Sequence, residues 1–206
     1  MERASATPRA LSLPYIRAKM GMWIFLLTEM LLFGGLFLLY AAYRTRYPAD
    51  FHQAQGELDR ALGTINTLVL ITSSLMMALS VGSIRGGRSK RALAFQALTI
   101  LFGAVFLGNK YFEWSTKIAH GLYPNAPVLL QRSRGQILFF SLYFIMTGLH
   151  AAHVVIGLIV IAVALTLTWR GEIRPGRFVI LENTGLYWHL VDIIWIYLFP
   201  LFYLIT

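Results

Sequence analysis

The chain has 206 residues, 57% of them hydrophobic and only 13% charged, a composition that excludes an ordinary soluble domain and points to a membrane protein. Its 18 Lys and Arg outnumber its 9 Asp and Glu, so the placement of these charges has to be read before their sign suggests a nucleic-acid partner. Cysteine is absent, which excludes disulfides, thiolate metal sites and iron–sulfur clusters and leaves His and carboxylate side chains to hold any metal.

Residues 1–19 carry Pro8, Pro14 and scattered basic side chains without a sustained helical period, and read as a tail lying along the membrane surface. Residues 20–206 read as one transmembrane domain. A span needs roughly 20 mostly apolar residues, and five runs qualify: Met22 to Tyr43, Thr64 to Ile84, Leu93 to Trp114, Ile137 to Trp169 and Leu186 to Ile205. The fold class expected is therefore all-α, a polytopic bundle of five transmembrane helices. The first run is too long for a signal-peptide core and carries an acid at its centre, so it is expected to remain as a helix. The fourth run would rise roughly 50 Å against a hydrocarbon core of about 30 Å, so it has to tilt or protrude.

The basic residues fall on two sides. Arg3, Arg9, Arg17, Lys19, Arg85, Arg88, Lys90, Arg91, Arg170, Arg174 and Arg177 share one side; Arg44, Arg46, Arg60, Lys117, Arg132 and Arg134 share the other, with Lys110 inside the third run. By the positive-inside rule the N-terminus is expected in the cytoplasm and the C-terminus outside. The segment Gly82 to Ser89 approximates a phosphate-binding loop, but that loop needs a preceding strand and a Lys, and here a membrane helix precedes an Arg; it reads as a turn. The connections Arg44 to Gly63 and Ser115 to Gln136 read either as partner-contact loops or as ordinary solvated segments, with His52 and His120 solvated within them.

Glu29, in the middle of the first run, is the first clue to function. A carboxylate at membrane depth costs about 2.5–3.5 kcal/mol on insertion scales and usually marks a proton, ion or ligand role. The plainer reading is a protonated acid bonded to a neighbouring backbone or Ser/Thr group, and such a neutral acid can still relay protons. His150 and His153 on the fourth run, and His189 and Asp192 on the fifth, are each three residues apart and share a helical face. With Glu29 and Glu113 they could build a helix-bundle metal site; alternatively each histidine bonds a neighbouring helix where Gly148, Ala151, Ala152 and Gly157 allow close approach. Glu113, with Lys110 one turn back, reads as an interface anchor or ion-paired group. Trp114, Trp169, Tyr187, Trp188, Trp195 and Tyr197 read mostly as an aromatic belt.

Read in order, these residues resemble subunit III of the haem–copper oxidase superfamily. Tyr187-Trp188-His189-Leu190-Val191-Asp192-Ile193-Ile194-Trp195 is similar to the family's YWHFVDVVW segment, and Gly148-Leu149-His150-Ala151-Ala152-His153-Val154-Val155-Ile156-Gly157 to its GxHxxHVxxG helix. Thr28-Glu29 with the following Met-Leu-Leu-Phe resembles its glutamate-bearing helix, and Ile65-Asn66-Thr67 the start of the next. The likeness runs from about Gly21 to the C-terminus and matches the five-helix bacterial form, which lacks two N-terminal helices of the seven-helix members.

The resemblance implies an accessory, non-redox subunit of a respiratory terminal oxidase in a bacterial inner membrane, most simply a cytochrome c oxidase, with a quinol oxidase as the alternative. It implies partners in catalytic subunit I, contacted through the first two helices, and subunit II. No haem or copper is expected on this chain, and phospholipids are expected in a cleft. It implies that Glu29 matches a buried, carbodiimide-reactive glutamate that supports proton uptake and turnover stability, and that Glu182 matches an acid near the lipid cleft, with His150, His153, His189 and Asp192 as polar residues of cleft and packing. Two readings of other classes stay open on the residues alone: a free-standing metalloprotein using His150, His153, His189 and a carboxylate, and a small transporter using Glu29 and Asp192.

Overall fold

The structure, a computed structural model, describes residues 13–205. Five long helices run antiparallel in chain order: α1 (Leu13–Arg46), α3 (Arg60–Arg85), α4 (Ser89–Ala119), α6 (Arg134–Trp169) and α7 (Val179–Phe199), the last continued by a π-helical turn over Pro200–Leu204. Two short helices lie in the connections, α2 (Pro48–Gln55) and α5 (Pro127–Leu130), each opened by a proline whose missing N–H costs nothing in a first turn. All five long helices are long and apolar enough to cross a membrane, which makes the chain a multi-pass membrane protein.

Two boundaries differ from the sequence reading. Helix α1 is described from Leu13, inside the segment read as a tail, so residues 13–19 are helical and, of that tail, residues 1–12 lie outside the described part. Helix α7 starts at Val179 and not at Leu186. Glu182 and Asn183 break the apolar run, but Glu182 is matched by cations from other helices and the helix continues through it.

The buried positions of α3 are Gly63, Asn66, Leu70, Ser73, Met77, Ser80 and Ile84, and those of α4 are Ala92, Gln96, Thr99, Gly103, Phe106, Lys110 and Glu113. Both series alternate steps of three and four, the repeat that keeps one seam facing a partner in left-handed packing. Small and polar residues on this seam bring the backbones together and satisfy each other across it. Asn109 Nδ2 donates to Asn66 Oδ1 at 2.8 Å, and the Ser73 and Ser80 hydroxyls each donate at 3.2 Å, to the Thr99 and Ala92 carbonyls respectively. Gln96 Nε2 reaches both Ser80 Oγ at 3.2 Å and Thr168 Oγ1 of α6 at 3.1 Å, so a third helix joins the same network. The hairpin between α3 and α4 closes through Gly87 at φ +72°, with Arg88 N bonded to the Ser83 carbonyl at 2.8 Å. It is a helix-terminating turn, as the absence of a preceding strand required.

Helix α7 is the most enclosed of the five. Trp188 lies flat between α4 and α6 because both present glycine to it: a Cβ on Gly157 would sit 2.7 Å from the indole, and one on Gly103 would sit 2.9 Å from it. Its Nε1 donates to Ser73 Oγ at 3.1 Å. Trp195 is likewise fully buried, with Nε1 on Thr67 Oγ1 at 3.0 Å, and Tyr187 is nearly so. These three are core residues and not belt residues; of the six aromatics read as a belt, Trp169 and Tyr197 are the exposed ones. The long connections are also more than solvated loops. Phe51, Leu58, Leu122 and Leu129 are buried, Asp50 accepts from Gly135 N at 3.1 Å, and Glu57 pairs with Arg132 and accepts from Lys117 through its carbonyl. His52 and His120 are exposed, as read.

Lys110 and Glu113 are a buried ion pair. Lys110 Nζ donates to Glu113 Oε2 at 2.9 Å and to the hydroxyls of Tyr143 and Tyr203 at 3.0 and 3.2 Å, which uses all three of its protons. Glu113 Oε1 accepts from the same two hydroxyls, and the Trp195 ring lies 5.3 Å from the ammonium. The cluster ties α4 to α6 and to the C-terminal turn.

Two outcomes follow. Glu113→Gln, which strands the Lys110 charge, should destabilise the chain by roughly 3–5 kcal/mol, whereas the Lys110→Met/Glu113→Leu double variant should recover most of that loss in thermal unfolding of the assembled complex. Gly157→Ala should cost about 1–3 kcal/mol by the same measurement, because the added methyl meets a rigid indole.

Candidate functional site

Helix α1 does not join the α3–α4 seam. It leans on α6 and α7 and leaves a cleft on either side of itself, and the sequence-selected acids and histidines distribute between these clefts and the core behind them.

On the α6 side, Glu29 Oε2 lies 2.9 Å from Nε2 of His153, which stands in the middle of α6. The partner of Glu29 is therefore an imidazole 124 residues away and not the backbone or Ser/Thr group that the plainer sequence reading supplied. The other ring nitrogen, His153 Nδ1, lies 2.8 Å from the Leu149 carbonyl of its own helix. A carbonyl oxygen can only accept, so Nδ1 carries a proton. Nε2 then accepts from a protonated Glu29 if the imidazole is neutral, or donates to a carboxylate if it is an imidazolium. Either way the two groups hold one exchangeable proton between them, and it can sit on either atom without breaking the contact. Phe33 places its ring against the imidazole at 5.4 Å, and the Tyr187 hydroxyl donates to the His153 backbone carbonyl at 3.2 Å, which ties α7 to α6 at this level.

The pair opens on a cavity of about 580 Å³ whose other walls include Met22, Phe25, Ile156 and Tyr187. Such walls suit hydrocarbon, with one ionisable pair at their edge. The geometry can hold and release a proton beside an apolar space.

On the α3 side, Glu182 of α7 is held by Lys19 at 2.9 Å, Arg85 at 2.6 Å and the Tyr15 hydroxyl at 3.1 Å. Tyr15 and Lys19 come from the stretch read as a tail and given no chemistry. Two turns along α7, His189 Nδ1 meets Ser74 Oγ of α3 at 2.6 Å. This cleft encloses about 460 Å³.

The remaining candidates lie behind these clefts. His150 is fully buried between the rings of Phe106 and Trp195, at 5.5 and 5.3 Å, and neither of its nitrogens has a hydrogen-bond partner among the described residues. The interhelical hydrogen bond expected of it is absent; aromatic faces take its place, because the nearest side chains of α4 and α7 are rings. Asp192 is 3% exposed and both its carboxyl oxygens are unpartnered among the described residues. No three of the described His, Asp and Glu side chains come together at metal-binding distances, so the metal constellation read from spacing is not assembled.

The Glu29–His153 contact predicts a graded response. Glu29→Gln retains a donor for Nε2 and should leave thermal stability of the complex nearly intact, whereas Glu29→Leu leaves the imidazole unpaired and should cost about 1 kcal/mol more.

Comparison with known proteins converges on one family. The family model for cytochrome c oxidase subunit III matches residues 15–206. Cytochrome c oxidase subunit 3 of Thermostichus vulcanus is 35% identical over 197 residues, covering 91% of this chain and 87% of that protein. Cytochrome bo(3) ubiquinol oxidase subunit 3 of Pseudomonas putida is 30% identical over 186 residues, covering 90% and 84%. The heme-copper oxidase subunit I+III of Aeropyrum pernix is 30% identical over 199 residues, covering 93% of this chain and 23% of that longer protein. With its five spans and the two motif-bearing helices α6 and α7 packed face to face, the chain belongs to the cytochrome c oxidase subunit III family, as an accessory subunit of a haem–copper oxidase.

Proposed function

We propose that this subunit supports proton delivery and turnover stability in a terminal oxidase of a bacterial inner membrane, seated against the haem-bearing catalytic subunit and beside subunit II. The Glu29–His153 contact carries the proposal: a single proton shared by a carboxyl and an imidazole at mid-helix depth, facing an apolar cavity. An acid in that position costs insertion energy and is for that reason a functional-site candidate, and a pair that keeps its contact with the proton on either partner is suited to passing protons. The oxygen chemistry and its haem and copper belong to the catalytic partner in this reading. This chain supplies proton-carrying groups and, in the α1 clefts, apolar walls fitted to phospholipid chains, with Glu182 and His189 supplying polar contacts along the α3-side cleft and His150 and Asp192 buried behind.

Fusion of the two kinds of subunit in the Aeropyrum pernix relative supports placing this chain against subunit I. For the electron donor, cytochrome c is favoured by the 35% and 33% identities to proteins named cytochrome c oxidase subunit 3, against 30% for the Pseudomonas putida ubiquinol oxidase subunit. Reduction of the purified complex by cytochrome c or by quinol decides between them.

The proton role is tested in the purified complex with Glu29→Ala and His153→Leu. Both should lower turnover and accelerate inactivation, by up to about tenfold, equivalent to about 1.4 kcal/mol on the barrier. Both variants should also abolish or alter carbodiimide labelling of this chain. Unchanged turnover, inactivation and labelling in an assembled Glu29→Ala complex would remove the proton role.

A further inference from the structure

The cavity beside Glu29 and His153 has a chemical bias that its apolar walls do not explain: its polar groups have their donors engaged and their acceptors open. Glu29 meets His153 through Oε2, and no described residue bonds its Oε1, although the side chain is 15% exposed. The Tyr187 hydroxyl donates to the His153 carbonyl, and the Thr184 hydroxyl donates to the Ile180 carbonyl at 2.9 Å, which leaves lone pairs on both oxygens. Asn183 Nδ2 donates to the Ala18 carbonyl at 3.2 Å, while its Oδ1 is buried without a partner among the described residues. All four side chains line the cavity. The second proton on Asn183 Nδ2 is the one spare donor among them.

A wall of acceptors favours a ligand that brings hydroxyl protons. It disfavours one that brings only carbonyls or an anionic phosphate, because lone pairs facing lone pairs leave buried polar atoms unpaired. Depth narrows the class. Glu29 stands near the middle of the 34-residue α1, with about 25 Å of helix on either side, which is deeper than a phospholipid headgroup at the edge of a roughly 30 Å hydrocarbon core. Two of the acceptor-bearing groups meet at this level, since the Glu29 carboxyl and the Tyr187 hydroxyl both bond His153, one to its ring and one to its carbonyl. The rings of Phe25 and Tyr187, with centroids 5.9 Å apart, offer an aromatic surface beside them. From there apolar walls that include Met22, Ile156 and Val160 lead toward Asn183, whose partner Ala18 is about 16 Å along α1 from Glu29.

We propose that this cavity binds a hydroquinone, a dihydroxy aromatic ring on a hydrocarbon tail. Its hydroxyls donate to Glu29 Oε1 and to the Tyr187 oxygen, its ring lies against Phe25 and Tyr187, and its tail runs toward Asn183. The tail uses walls assigned above to hydrocarbon chains, and the polar level at Glu29 is what separates this occupant from an acyl chain. No electron moves in this step. The bonds made are hydrogen bonds, and Glu29 accepts one whether or not it passes protons.

Photolabelling of the purified oxidase under anaerobic conditions, with a hydroquinone whose short alkyl tail bears a diazirine, tests the assignment. Label should appear on α1 between Met22 and Glu29 and on α7 between Ile180 and Tyr187, about tenfold above that from the quinone form of the same probe. Glu29→Gln keeps an acceptor oxygen and should keep the labelling, although it removes the carboxyl on which the proton role depends. Glu29→Leu and Tyr187→Phe should each lower it about fivefold. Label confined to partner subunits overturns the proposal, and so does equal labelling by the quinone form or wild-type labelling in both the Leu and Phe variants. Displacement of the probe by phosphatidylglycerol as readily as by unlabelled hydroquinone would assign the cavity to phospholipid instead.

Discussion

A carboxylate at membrane depth is costly unless it is partnered, and the way the three glutamates of this bundle, Glu29, Glu113 and Glu182, are accommodated organises the rest of the structure. Glu113 is matched by Lys110 and two tyrosines, Glu182 by Lys19, Arg85 and Tyr15, and Glu29 by His153. Each match joins elements distant in sequence, so the charges act as fasteners between helices that hydrocarbon alone would not hold together. Two of these fasteners contain a full cation and are structural. The third contains only an imidazole and one mobile proton, which is the feature that separates a proton-handling contact from a clamp.

The placement of α1 follows from the same contacts. It touches the bundle at Glu182 near its beginning, at His153 in its middle, and at Leu201 through the Tyr40 hydroxyl near its end. Between these points it leaves clefts, and the ionisable groups lie along them. The α3–α4–α6–α7 core has the opposite character: glycines at positions 103 and 157 admit Trp188, and small hydroxyl and amide side chains bind helix to helix with little space left over. A dense core carrying one loosely docked helix is an arrangement in which apolar ligands and protons enter at the periphery while the frame stays fixed. The large apolar side chains that α1 exposes, among them Trp23, Leu27, Leu31 and Leu38, are left for lipid or for a neighbouring subunit.

Much of this was legible in the amino-acid order. The five spans follow from run length and hydropathy, the Gly87 turn from its glycines, and the importance of Glu29 from the cost of placing it there. The partner of Glu29 was not legible, because the contact joins residues 124 apart and a helical period only says which face His153 occupies. For the same reason the start of α7 was misplaced: Glu182 looks like the end of an apolar run until Lys19 and Arg85 arrive from two other helices. Trp188 and Trp195 resemble belt residues by type, and only the glycines opposite one and the threonine beneath the other make them core. His150 shows the limit of pattern reading, since its motif spacing suggests a hydrogen-bonded or metal-bound ring while its surroundings are aromatic faces.

The central claim is that Glu29 and His153 hold one proton in common within an oxidase. Nitrogen-15 solid-state spectroscopy of the histidine-labelled complex reads it directly. The account predicts a His153 ring protonated at Nδ1 whose Nε2 resonance moves when Glu29 is replaced by Gln, while the resonances of His52 and His120 stay where they are. A His153 Nε2 signal indifferent to that replacement would contradict it.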